Sequence, residues 1–139
     1  MKAFGYLILV LLAAVFILTA CATEGAVLED TVWSLESYGE EGKLKAVLPD
    51  TEVTAEFKSA EKQVSGSAGC NSYFGGYEVK GSELSITGPI GSTMMSCGEQ
   101  IDKQEYEYLQ ALQAAESYLI ENGKLRVNCG QKVLHFQRK

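Results

Sequence analysis

Residues 31–38 read TVWSLESY, with Trp33 and Leu35 on one side of an extended chain and Val32, Ser34 and Glu36 on the other. A period of two is the signature of a half-buried strand, and it recurs. In residues 51–58, Val53, Ala55 and Phe57 alternate with Glu52, Thr54 and Glu56. Residues 63–68 and 83–87 are shorter segments of the same kind, and Gly81-Ser82 between Lys80 and Glu83 suits a two-residue hairpin. Residues 118–121 and 124–129 flank Asn122-Gly123, a strong hairpin signal, and in 132–137 Leu134 and Phe136 share a face. Residues 40–49 read as a polar loop with a short apolar stretch, and Pro49-Asp50 marks a turn. Only over residues 99–115 does the period change, with Ile101, Tyr108, Leu109, Leu112 and Ala115 spaced as one helical face. Glu99 and Asp102 near its start suit the positive end of the helix dipole. The predicted fold is α+β and mainly β: a curved, barrel-like antiparallel sheet with one amphipathic helix packed against it.

The N-terminus fixes where this sheet must fold. Lys2 precedes an apolar run over residues 3–18, followed by Thr19, Ala20 and Cys21. Leu18-Thr19-Ala20-Cys21 resembles the lipobox of bacterial lipoproteins, which implies cleavage before Cys21 and acyl chains on that residue. Several chains anchor stably because each buried methylene contributes about 0.8 kcal/mol. The alternative is an uncleaved helical anchor, the run being close to bilayer length; either way the remainder lies outside the cytoplasm. The expected organisation is a lipoprotein signal peptide over residues 1–20, the lipidated cysteine and a tether over 21–29, and one domain over 30–139. The net charge of -6 becomes more negative once Lys2 is removed. Scattered positive residues make nucleic acid an unexpected partner, and membrane attachment is left to the lipid on Cys21.

With Cys21 lipidated, Cys70, Cys97 and Cys129 remain, an odd set that permits a single internal bridge. Glycines at probable turns favour Cys70 with Cys97. Cys129 shares a strand face with Leu125 and Val127 and reads as a small buried hydrophobe. In residues 71–80, Asn71, Tyr73, Gly75, Tyr77 and Val79 point one way and Phe74, Gly76, Glu78 and Lys80 the other, unless a bulge at Gly75-Gly76 brings Phe74 inward. Met94 and Met95 could offer soft thioethers to Cu(I) beside Cys97. Adjacent strand residues face apart, however, so both are expected to fill core gaps. No metal site and no cofactor is expected. His135 is the sole histidine, no metal-ligand or phosphate-binding motif occurs, and Glu99, Glu105, Glu107 and Glu116 read as a solvated helix face. No catalytic residue is assigned.

The run Gly69-Cys70-Asn71-Ser72-Tyr73-Phe74-Gly75-Gly76-Tyr77, then Ile86-Thr87, Gly91 to Cys97 and a helix with Glu105 and Leu109, resembles the META domain of HslJ-type heat-shock proteins. The resemblance spans Thr31 to Phe136. It implies one compact, mostly antiparallel domain, often lipid-anchored or exported, associated with heat stress and antibiotic tolerance. It marks Gly69, Asn71, Tyr73, Gly75, Tyr77, Met94 and Met95 as structural or binding positions, and Cys129 lies outside its motifs. The expected function is a non-catalytic, lipid-anchored module of the cell envelope that binds an envelope protein or wall component under stress. Ala22 after the lipidated cysteine suggests the outer membrane in a host with two membranes, and otherwise the outer face of the cell membrane. Two rivals remain: an inhibitor of an extracytoplasmic hydrolase, and a thiol-redox protein, though no CxxC is present.

Overall fold

The structure, a computed structural model, describes residues 27–139. The signal peptide, Cys21 and most of the tether lie outside the described residues. The strands are β1 (Val32–Glu40), β2 (Lys43–Ala46), β3 (Thr54–Lys58), β4 (Gln63–Ser67), β5 (Ser72–Lys80), β6 (Glu83–Ser92), β7 (Ser117–Glu121), β8 (Lys124–Cys129) and β9 (Lys132–Arg138), with one helix among the described residues, α1 (Glu99–Gln113). All strand pairs are antiparallel, and β1 pairs with both β3 and β9, so eight strands close into a barrel. Closure removes the exposed edges that an open sheet would leave.

Two departures from regular pairing set the shape. Between Leu35 and Ser37 the β1–β9 register shifts, a bulge that turns Tyr38 back into the core after Trp33 and Leu35. The second lies between β5 and β6, where Phe74 pairs with Gly91 but Gly76 pairs with Thr87. The surplus residues belong to β6, so β5 keeps strict alternation with Tyr73, Gly75 and Tyr77 buried. Phe74 therefore stays outside, 56% exposed, and the inward Phe74 that a bulge on β5 would have produced does not occur. It lies over Gly91, where an added Cβ would sit 3.0 Å from Phe74 Cζ.

The expected 40–49 loop contains β2, which extends the sheet against the end of β1. All four of its residues are exposed, so no burial alternation announces it. Likewise β6 runs past the expected end at Thr87 to Ser92. The β7–β8 turn has Asn122 and Gly123 both at positive φ (52° and 73°), the type I′ geometry that matches strand twist.

Inside the barrel, Trp33, Phe57, Tyr73, Tyr77, Leu84, Leu125 and Phe136 are almost wholly buried. Each is worth about 2–3 kcal/mol in apolar burial. Strands β6 and β7 meet at the register pair Glu83↔Ser117, and α1, which joins them in sequence, packs on β6, β8 and β9. It closes one end of the barrel by inserting Tyr108, Ala111 and Leu112. The opposite end is closed by Leu28, whose carbonyl accepts the Trp33 indole N–H at 3.0 Å. The chain thus enters at one pole and α1 caps the other.

Candidate functional site

At the α1 pole, β5 begins beside the end of β6, and Asn71 lies just before β5. Its neighbours on either side explain its burial (3% exposed). Asn71 Oδ1 accepts from Met95 N–H at 2.7 Å and Thr93 Oγ1 at 2.9 Å, while Nδ2 donates to Met95 O at 2.9 Å and Glu105 Oε1 at 2.6 Å. Two acceptor and two donor sites are all the hydrogen-bonding capacity an asparagine amide has, and here all four are filled. Its backbone N–H donates to Glu105 Oε2 at 2.7 Å, and Cys70 N–H to the same oxygen at 3.3 Å.

Glu105 is thus not part of a solvated face. It is buried on α1, because the N–H groups at the β5 start need an acceptor once the helix excludes water. Of the other glutamates expected on that face, Glu99 is exposed, half-buried Glu107 bonds Lys45, and exposed Glu116 lies beyond the end of α1 at Gln113. Gln104, 1% exposed, plays the matching part toward the 48–51 loop, accepting from Leu48 N–H at 2.7 Å and donating to Thr51 Oγ1 at 3.0 Å. Gln104 was missed in the sequence, and Glu105, named there in the helix that carries the family resemblance, was read as part of a solvated face. Their available signal was position, since Gln104 and Glu105 fall one turn before Tyr108 and Leu109 on the apolar stripe.

Residues 93–97 connect β6 to the start of α1 without regular structure. Thr93 N–H donates to Ser72 O at 3.0 Å, prolonging the β5–β6 ladder by one bond. Cys97 is disulfide-bonded to Cys70, Cα–Cα 6.0 Å. Asp102, in the first turn of α1, accepts from Ser96 Oγ at 2.6 Å and Cys97 N–H at 2.8 Å. Those two donors, the hydroxyl first, hold its carboxyl below the ordinary range. Gly69 precedes the bridge with φ of 116°, a conformation a side chain would strain.

Out of this fastening project two side chains. Met94 is 93% exposed and Met95 61%, which overturns the core-filling expectation for both. The chain has left the sheet at Ser92, so strand alternation no longer applies, and the Asn71 amide holds the Met95 backbone with its side chain outward. Tyr73 and Tyr77, by contrast, are core residues. Tyr73 OH donates to Thr54 O at 2.9 Å and meets Tyr108 OH at 2.7 Å. Burial raises both hydroxyls' pKa well above the usual phenol range. Tyr77 OH donates to Glu29 Oε1 at 2.6 Å at the other pole, and between the two tyrosines Gly75 packs against Ile90 within the wall.

The remaining reactive groups do not converge. His135 lies on the outer face of β9, paired with Arg126 and Ser37 across the strands, and its Nε2 is buried without a hydrogen bond. Cys129 is a free, buried thiol whose pKa burial pushes up to about 12. A thiol so protonated is a poor nucleophile. Among the described residues, no three His, Cys, Asp or Glu side chains are grouped to hold a metal ion, and no helix is long and apolar enough to cross a membrane.

No curated protein matches the chain. Among solved structures it is similar to a protein from Burkholderia xenovorans, at 28% identity and a TM-score of 0.67, covering 81% of this chain and 83% of that one. A DUF4847 family protein from Bacteroides vulgatus has the same fold at 13% identity and a TM-score of 0.56, with 80% and 94% covered. The family model of the META domain matches residues 26–139. The chain belongs to the META domain family.

Proposed function

We propose that this protein is a non-catalytic binding module held at the cell envelope by lipid on Cys21, where it supports the envelope under stress by gripping an envelope protein or wall component. In a host with two membranes its place is the outer membrane, and otherwise the outer face of the cell membrane. The observation that carries the reading is the contrast at residues 93–97: a backbone fastened by an amide, a carboxylate and a disulfide presents two methionine side chains to solvent. Such a loop has little ordering entropy left to lose on binding. Methionine is over-used on binding surfaces because its thioether adapts to varied contacts.

The topology supports the placement. Cys21 and Val27 are only six positions apart, a reach of about 20 Å at most, and Val27 enters at the pole away from α1. A lipid on Cys21 would keep that pole near the membrane and direct Met94 and Met95 outward.

Intact-mass analysis of membrane-extracted protein tests the anchor: Cys21→Ser should remove the acyl mass and release the protein from membranes. For the binding reading, a photo-crosslinking residue at 94 should trap a discrete partner in stressed cells, whereas one at Glu78 on the barrel wall should not. A Met94→Glu/Met95→Glu double variant that folds and still restores stress tolerance fully would refute the assignment of binding to this loop.

A further inference from the structure

Within the loop, Met94 differs from its neighbours. Thr93 is tied through its N–H to Ser72 O and through Oγ1 to Asn71. Met95 is held by both backbone groups to the Asn71 amide, and Cys97 by the bridge and Asp102. Among the described residues no hydrogen bond engages the N–H or C=O of Met94, and its side chain is 93% exposed. One residue is therefore offered whole, backbone and side chain, between two fixed flanks.

That is the arrangement an endopeptidase reads. Its cleft pairs with the backbone of the residue at the scissile bond and takes one side chain into a specificity pocket, which in the apolar class is a deep hydrophobic slot. Methionine, unbranched and apolar, fits such a slot. The surroundings suit it as well: residues 88–98, GPIGSTMMSCG, carry no charged side chain in a protein of net charge -6, so the segment itself brings no ion into the cleft. The fixed flanks also bear on the outcome. Asn71 and the disulfide retain the chain on the Met95 side of the bond, so the segment cannot separate and leave as a cleaved peptide would.

We infer that Met94 is the anchor residue of a substrate-like loop that occupies and blocks the apolar specificity pocket of an extracytoplasmic endopeptidase. The inference rests on the binding reading above and names its partner class.

The test uses full-length protein in detergent, titrated against subtilisin and chymotrypsin, which have apolar pockets, and against trypsin, whose pocket is acidic, each with a chromogenic peptide substrate. Wild type should inhibit at least one apolar-pocket enzyme stoichiometrically and leave trypsin untouched. Met94→Lys should weaken the first inhibition at least 100-fold and create inhibition of trypsin. Because residue 94 is in solvent, this change leaves the fold intact, and circular dichroism verifies that. The inference is overturned if wild type inhibits no apolar-pocket enzyme and Met94→Lys does not inhibit trypsin. It is equally overturned if inhibition ignores Met94→Lys, or if the 94–95 bond is simply turned over as substrate. Crosslinking from position 94 to a partner that is not a peptidase would sink this inference and leave the binding module standing; absence of any crosslink together with absence of inhibition would remove both.

Discussion

Replacing Asn71 by aspartate changes one atom's chemistry at the point where sheet, loop and helix meet. The Nδ2 group that donates to Met95 O (2.9 Å) and to Glu105 Oε1 (2.6 Å) becomes an oxygen. Two hydrogen bonds are lost, one neutral and worth about 1 kcal/mol, one to a carboxylate and worth about 2 kcal/mol. The sum is a destabilisation of about 3 kcal/mol before repulsion is counted. At neutral pH the introduced carboxylate also faces that of Glu105 across hydrogen-bond distance, in a site only 3% exposed at residue 71, so repulsion adds to the loss. For a domain of this size about 3 kcal/mol lowers the Tm by about 12 °C. The sign of the pH dependence follows. As pH falls from 7 toward 5, protonation of the introduced carboxyl, which the facing carboxylate favours, removes the repulsion and restores a donor, so the Tm deficit against wild type should shrink. Thermal unfolding followed by circular dichroism at both pH values measures this. A Tm within about 2 °C of wild type at pH 7, or a deficit that grows on acidification, would refute the claim that the amide's four bonds hold the loop.

Three further outcomes are expected. Paired Cys70→Ser and Cys97→Ser changes open a loop spanning 27 positions and should cost about 3.5 kcal/mol by denaturant titration, with the protein still folded because Asn71 and Asp102 hold the loop independently. Gly66→Ala should destabilise by about 3 kcal/mol or more, since the added Cβ would meet Thr54 O at 2.1 Å, a backbone atom that cannot swing aside; chemical denaturation measures it. Cys129, raised from 9.0 to about 12, stays protonated in the fold while the unfolded thiol ionises. Its contribution is therefore complete below pH 9 and is lost above, by about 1.4 kcal/mol per pH unit between 9 and 12. Comparing wild type with Cys129→Ala over pH 8–10.5 isolates that slope, and at pH 8 a thiol reagent should label Cys129 only after unfolding.

Most of the architecture was legible in local pattern. Period-two segments around Trp33, Phe57, Tyr73 and Leu134 have one buried face, and Asn122-Gly123 can scarcely make anything but a tight hairpin, so local pattern and turn chemistry agreed with the barrel. The sequence also marked the segment Gly69–Tyr77 and the pair Met94-Met95, and the spacing of Cys70 and Cys97 from their glycines. What it lacked was the third dimension of the polar groups. β2 was invisible because an exposed four-residue arm buries nothing and leaves no periodicity. The side of Phe74 hung on whether a bulge formed, and the two methionines looked like core, but a side chain's burial depends on which strand carries the surplus residues of a bulge and where the chain leaves the sheet. Glu105 looked like solvent-facing charge. Its role exists only because α1 settles over the start of β5 and seals off backbone N–H groups that must then find an acceptor. Tertiary structure alone decided that one asparagine and one glutamate would fasten a loop and turn its methionines outward, because unsatisfied donors are a property of packed surfaces and never of a single segment.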